Sequence, residues 1–170
     1  HRQDILTIAE TIWAHPELGF KEQRTAALVA QWFERLGLPF REGLAVTGVR
    51  ADLDTGREGP ALAVLGELDA IALTSHPDAD PETGAVHGCG HHGQIAAMLG
   101  AAMGLTAAGA ATRLSGRLAF MAVPAEECLD LEYRLDLVRQ GRLRYVGGKP
   151  ELIRLGVFDD IDAAMMTHAG

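Results

Sequence analysis

Between residues 84 and 94 the chain reads GAVHGCGHHGQ. His87, Cys89, His91 and His92 stand there among glycines. Thiolate and imidazole are ligands that suit zinc and other borderline divalent metals. If 87–91 is extended, period-two alternation points His87, Cys89 and His91 to one side. The glycines at 88, 90 and 93 let the backbone bend around a small ion. The bland alternative is a buried thiol with histidines in a flexible loop. Other strand-end groups weigh against it. In PAEE (124–127), Glu126 and Glu127 follow directly on an apolar run, where a charge is expensive unless it has a partner. Adjacent residues point different ways, so one carboxylate can hold a metal while its neighbour takes a proton from water. The competing reading is a solvated pair. His168 follows another apolar run; alone it reads as a hydrogen-bonded core histidine. Asp69 either caps the next segment or fixes the tautomer of a ligating histidine. His15 and His76 precede prolines and read as surface residues, and Cys128 reads as a packed or partly exposed thiol.

These residues need a scaffold, and the apolar pattern supplies one. Ile5, Ile8, Ile12 and Trp13 recur at helical spacing over 3–14. HPELGF (15–20) interrupts the pattern, and 21–37 reads as an amphipathic helix with a stripe of Leu28, Val29, Trp32, Phe33 and Leu36 and with Gly37 just past its end. Residues 44–53 read as extended and 54–60 as a turn. ALAVLGELDA (61–70) is an apolar run ending in carboxylates, and GRLAFMAVPAEE (116–127) is a second, stopped by Pro124. An Ala-rich helix fits 93–110, short helices fit 131–141 and 149–156, and a last buried strand fits 162–170. The alternation predicts an α/β layered domain, with a largely parallel mixed sheet flanked by helices. Three strands then end in Asp69, in Glu126 and Glu127, and in His168, and ligands of open α/β sheets sit outside the carboxyl ends of strands. The basic run at 133–149 reads as a solvated helix face and turn.

Composition narrows the classes. The chain has 170 residues, 48% of them hydrophobic, enough for one domain with a core. A formal net charge of −8 argues against nucleic acid as partner. No stretch is long and apolar enough to span a bilayer; 96–111 comes nearest and reads as a buried helix. Cys89 and Cys128 are the only cysteines, too few for a disulfide scaffold, which leads us to expect a reducing, cytoplasmic compartment. A hydrolase with Cys89 as nucleophile and His91 as base is disfavoured, because the base usually comes from elsewhere in the fold.

Taken together and in order, HPELGF, GELDA, GAVHGCGHHGQIAAMLGAA, VPAEE and FDDIDAAMMTHAG resemble the M20 metallopeptidase family. The likeness is strongest to its amidohydrolase branch of aminoacylases, aminobenzoyl-glutamate hydrolases and auxin-conjugate hydrolases, and it runs over nearly the whole chain. It implies an α/β catalytic domain with an inserted lid, and two divalent metal ions, zinc or manganese with cobalt or nickel allowed. The implied reaction is hydrolysis of small N-acyl amino acids or dipeptide-like amides by water activated between the metals. Cys89 and His91 match the ligands of the C-G-H motif. Glu127 and His168 match further metal ligands, Glu126 the general base, and Asp69 the aspartate that orients the site from behind. His87 falls where the family does not usually place a ligand, and His92 where members commonly carry an acid. The segment 129–156 is longer than in many relatives. The sequence ends two residues after His168, so the resemblance implies that the lid, the rest of the catalytic domain and a last ligating histidine lie outside it. Residues 1–170 are thus expected to be the N-terminal part of a catalytic domain, inactive in isolation, from a chain that is a homodimer when whole. The rival expectation is a non-catalytic metal-binding or oligomerisation module on the same scaffold.

Overall fold

The two apolar runs pair with each other at the centre of the molecule. In a computed structural model, which describes residues 1–168, β3 (Ala61–Glu67) lies parallel to β6 (Arg117–Val123), with Val64 opposite Phe120 and Glu67 opposite Val123. Around them the sheet runs β1-β2-β6-β3-β7, with β1 (Phe40–Leu44), β2 (Gly48–Asp54) and β7 (Ala163–Met166). β1 and β2 pair antiparallel, as do β2 and β6, whereas β7 is parallel to β3. The sheet is therefore mixed, and its three mutually parallel strands are those whose ends carry the candidate residues. The register brings those ends together. Glu67 faces Val123 and Leu65 faces Met166, so the segments after all three strands emerge at one edge.

Both faces of the sheet are covered, which is why its central strands read as unbroken apolar runs. Phe120 and Ala122 point into one core, with Ile8, Ile12, Phe33, Ile95 and Leu99 from α1 (Arg2–Ala14), α2 (Gln23–Arg35) and α3 (His91–Ala107). Ala119, Met121 and Val123 point into the other. The small residues of α3 let it lie close to its neighbours: a Cβ on Gly100 would stand 2.9 Å from Cδ1 of Ile5. A short α4 (Ala110–Arg113) follows, and a two-stranded ribbon, β4 (Ile71–Ala72) with β5 (Ala85–Val86), precedes α3. Among the described residues, no helix is long and apolar enough to cross a membrane.

The segment 129–156 closes the second core. α5 (Leu131–Arg139), the following loop and α6 (Gly148–Arg154) contribute Leu137, Leu143 and Leu152 against Phe20, Leu65 and Met121.

Three expectations are corrected. Residues 44–53 are not one extended piece: the chain reverses between Leu44 and Gly48 through Ala45 and Val46, both at positive φ. β7 is not buried; it is an edge strand, with Met165 63% exposed, and Ala169 and Gly170 of its expected span lie outside the described residues. The basic run is not uniformly solvated, because Arg134 is buried. Its guanidinium donates to the carbonyls of Val146 (2.9 Å) and Ala125 (3.4 Å) and lies over the Phe20 ring, which supplies the partners a buried cation requires.

Candidate metal centre

The GAVHGCGHHGQ stretch is a turn rather than a strand. The Gly90 N–H donates to the His87 carbonyl at 3.1 Å, Gly90 takes φ +85°, and α3 begins at His91. The alternation argument therefore fails at His87. That residue turns inward, buried, with neither ring nitrogen hydrogen-bonded and its ring 5.6 Å from that of His92. Burial and the neighbouring histidines lower its pKa to about 3, so it is neutral.

Cys89 and His91 face the sheet edge. The Cys89 thiol lies 3.6 Å from Nε2 of His168. The neighbouring Glu127 carboxylate, burial and the Glu126 charge push the thiol up to about 11. The His91 ring is fully buried and stands edge-on to His168 with centroids 5.5 Å apart. Its Nδ1–H donates to the Asp69 carbonyl at 2.7 Å. This fixes the tautomer and turns Nε2 toward the carboxylates, 3.1 Å from Glu67 and 4.0 Å from Glu126. Burial alone would lower the His91 pKa, but the Asp69 and Glu67 carboxylates beside the ring outweigh it and raise it to about 10.

Asp69 holds the turn after β6. Its two carboxylate oxygens accept the N–H groups of Glu126 (3.1 Å) and Glu127 (2.9 Å), while its carbonyl orients His91. It touches the two glutamates and a histidine only from behind, so it is a positioning residue. Glu126 stands exposed on the open side, and its pKa is raised by partial burial and by the nearby Glu67 charge. Glu127 is half-buried beside the thiol.

Two groups of donor atoms result. One ligand atom from each of Cys89, His91 and His168 lies within 4.8 Å of the others, and the same holds for Glu67, His91 and Glu126. The donors are soft and hard in turn, thiol and imidazole on one side and carboxylates on the other, as a borderline divalent ion accepts. Oε2 of Glu67 and Nε2 of His91 are buried without a well-aligned hydrogen bond, so both keep lone-pair or donor capacity directed into the cluster. The residues fit a metal.

Sequence reasoning passed over three groups here. Glu67 is buried, and although burial would raise its pKa, His91 and the Lys149 ammonium outweigh it and hold it down to about 2. Its signal was present in GELDA, two residues before Asp69 at the end of an apolar run. Lys149, which also lies 4.0 Å from Glu126, and the buried Glu22 carried no such signal. Cys128 is exposed, and Cys128 and His15 are in neither donor group.

Residues 48–170 match the model of peptidase family M20/M25/M40. The chain is 27% identical to an N-acyl-L-amino acid amidohydrolase of Geobacillus stearothermophilus, over 98% of this chain and 41% of that protein. It is 29% identical to IAA-amino acid hydrolase ILR1-like 6 of Arabidopsis thaliana, over 95% of this chain and 31% of that one. Among solved structures it superposes on the Bacillus subtilis YXEP protein, described as a dinuclear metal-binding peptidase of the M20 family, with a TM-score of 0.74 and 25% identity over 95% of this chain and 41% of that chain. The chain spans between 26% and 41% of the length of the curated relatives it matches. With the matched model covering most of its residues and its sheet superposing on a catalytic domain of that family, the chain belongs to peptidase family M20/M25/M40, in the amidohydrolase branch.

Proposed function

We propose that this chain supplies metal-holding and proton-transferring groups of a metal-dependent amide hydrolase acting on N-acyl amino acids or amino-acid conjugates. One observation carries the reading: donors from separate segments, Cys89 with His91, Glu67, Glu126 and His168, meet at the edge where three parallel strands end. The substrate class follows the relatives, an N-acyl-L-amino acid amidohydrolase and an IAA-amino acid hydrolase. Cys89, His91, Glu127 and His168 would hold two divalent ions, zinc or manganese before cobalt or nickel. Bound there, such ions lower the pKa of water and polarise an amide carbonyl. Glu126, exposed beside the donors, takes the proton from water and returns it to the leaving nitrogen. Asp69 fixes the backbone from which both glutamates project.

The test pairs metal content with hydrolysis of N-acyl amino acids. Glu126→Gln should lower kcat roughly 100- to 10,000-fold while leaving bound metal unchanged. Loss of metal instead would exchange the roles of the two glutamates. The alternative is a metal-binding or oligomerisation module without turnover on the same scaffold. Stoichiometric metal with no turnover on any N-acyl amino acid would favour it.

A further inference from the structure

Glu22 immediately precedes α2 and is fully buried. Its carboxylate is spent on two contacts. Oε2 accepts the Thr47 hydroxyl at 2.6 Å, and Oε1 accepts the backbone N–H of Ala125 at 2.8 Å, a residue 103 positions away. Ala125 precedes Glu126 and takes φ +48°, left-handed for a residue with a Cβ. That conformation is costly for a residue with a Cβ and persists only when the surroundings impose it. Here they impose it from both sides. Glu22 holds the peptide plane before the Ala125 Cα. Asp69, through the amides of Glu126 and Glu127, holds the planes after it. The torsions of Ala125 lie between these two clamps, and they set the direction in which Glu126 leaves the turn. The Ala125 carbonyl is held as well, by the Gly148 N–H at 3.1 Å and the Arg134 guanidinium at 3.4 Å.

We propose that Glu22 is a positioning residue for the Glu126–Glu127 turn. Through the Ala125 amide it keeps Glu126 on the open side of the metal centre and Glu127 against Cys89. Its effect on rate rests on the proposed role of Glu126; the positioning itself does not.

Three variants test it. Glu22→Gln keeps a carbonyl for the Ala125 amide and an N–H for the Thr47 oxygen. Glu22→Met removes both. Thr47→Val removes only the hydroxyl that orients Glu22. Amide exchange by NMR is followed at Ala125 and, as a control for global opening, at Phe120 in β6, with zinc affinity measured by titration. In Glu22→Met, exchange at Ala125 should speed roughly 10- to 100-fold, as loss of a buried hydrogen bond to a charged group requires, with Phe120 unchanged. Zinc should bind correspondingly more weakly. Glu22→Gln should stay within about threefold of wild type in both readouts, on the scale of a neutral acceptor replacing a charged one. In a preparation that turns over, Glu22→Met should lower kcat and leave KM in place. Unchanged Ala125 exchange and zinc affinity in Glu22→Met would overturn the proposal. If that variant loses protection at Phe120 too, Thr47→Val decides: faster exchange confined to Ala125 supports the proposal, and none overturns it. A Glu126→Gln variant with full rate would remove the general-base role and leave the Ala125 result standing.

Discussion

At the level of single residues, the candidate centre depends on which atom of each side chain is already committed. His91 gives Nδ1–H to a carbonyl and keeps Nε2 for the cluster. Asp69 uses both carboxylate oxygens on adjacent amides and, among the described residues, is in neither donor group. This makes Asp69→Asn a sharp test, because an amide offers one acceptor where two N–H groups converge. One of them would face an NH2 donor. The variant should lose about 2–3 kcal/mol of stability, the scale of a hydrogen bond to a charged group, read by urea denaturation. It should also bind zinc more weakly, since the same turn carries Glu127.

At the level of elements, the segment 129–156 reaches the centre through the Lys149 ammonium and, beside it, through backbone packing. Gly148 opens α6 and lies on the turn after β6, where an added Cβ would stand 1.6 Å from the Pro124 carbonyl oxygen. That clash is with backbone, so relief requires moving the turn or the helix. Gly148→Ala should destabilise the protein by about 2–3 kcal/mol. The neighbouring Gly147→Ala is the control. Its Cβ would meet only Pro150 at 3.5 Å, and its φ of −117° suits any residue, so it should change stability by no more than about 0.5 kcal/mol. Comparing urea midpoints of the two variants checks the packing of α6 on the turn after β6.

For the molecule as a whole, two buried charges set the response to mutation and pH. Arg50, 2% exposed, donates to Asp52, Asp160 and the Val157 carbonyl, tying β2 to the segment before β7. Arg50→Met leaves those acceptors without their cation and should cost about 3 kcal/mol, measured by denaturant titration. Arg50 also holds the Asp160 carboxyl below its ordinary range, so this contribution is present at neutral pH and lost as pH falls toward and below that range. Glu22 acts in the opposite sense. Burial raises its carboxyl from 4.5 to about 7, so the unfolded chain releases the proton first as pH rises. Its contribution is fully present below about pH 4.5 and falls by roughly 3 kcal/mol by pH 7. The stability of Glu22→Gln relative to wild type should therefore rise across that window and be flat above it. A difference that is constant with pH would refute the assignment.

The sequence determined the main helices and the two central strands, because helical spacing and apolar runs are local properties; the reversal between β1 and β2, the β4–β5 ribbon and the short α4 were not legible in it. It also singled out Asp69, Cys89, His91, Glu126, Glu127 and His168 as candidates, because chemistry-bearing residues at the ends of apolar runs stand out from charges on amphipathic faces; of these, Cys89, His91 and His168 share one donor group and Glu126 joins His91 in another. It did not determine which charges are buried. Glu22 and Arg134 sit in segments that read as solvated helix, and only the packing of 129–156 and of the β6 turn over them removes water and makes each a clamp. Nor did it determine that His87 turns away while Glu67 turns in. Those outcomes depend on a turn at Gly90 and on strand register across the sheet, and both are settled by contacts between residues far apart in the chain.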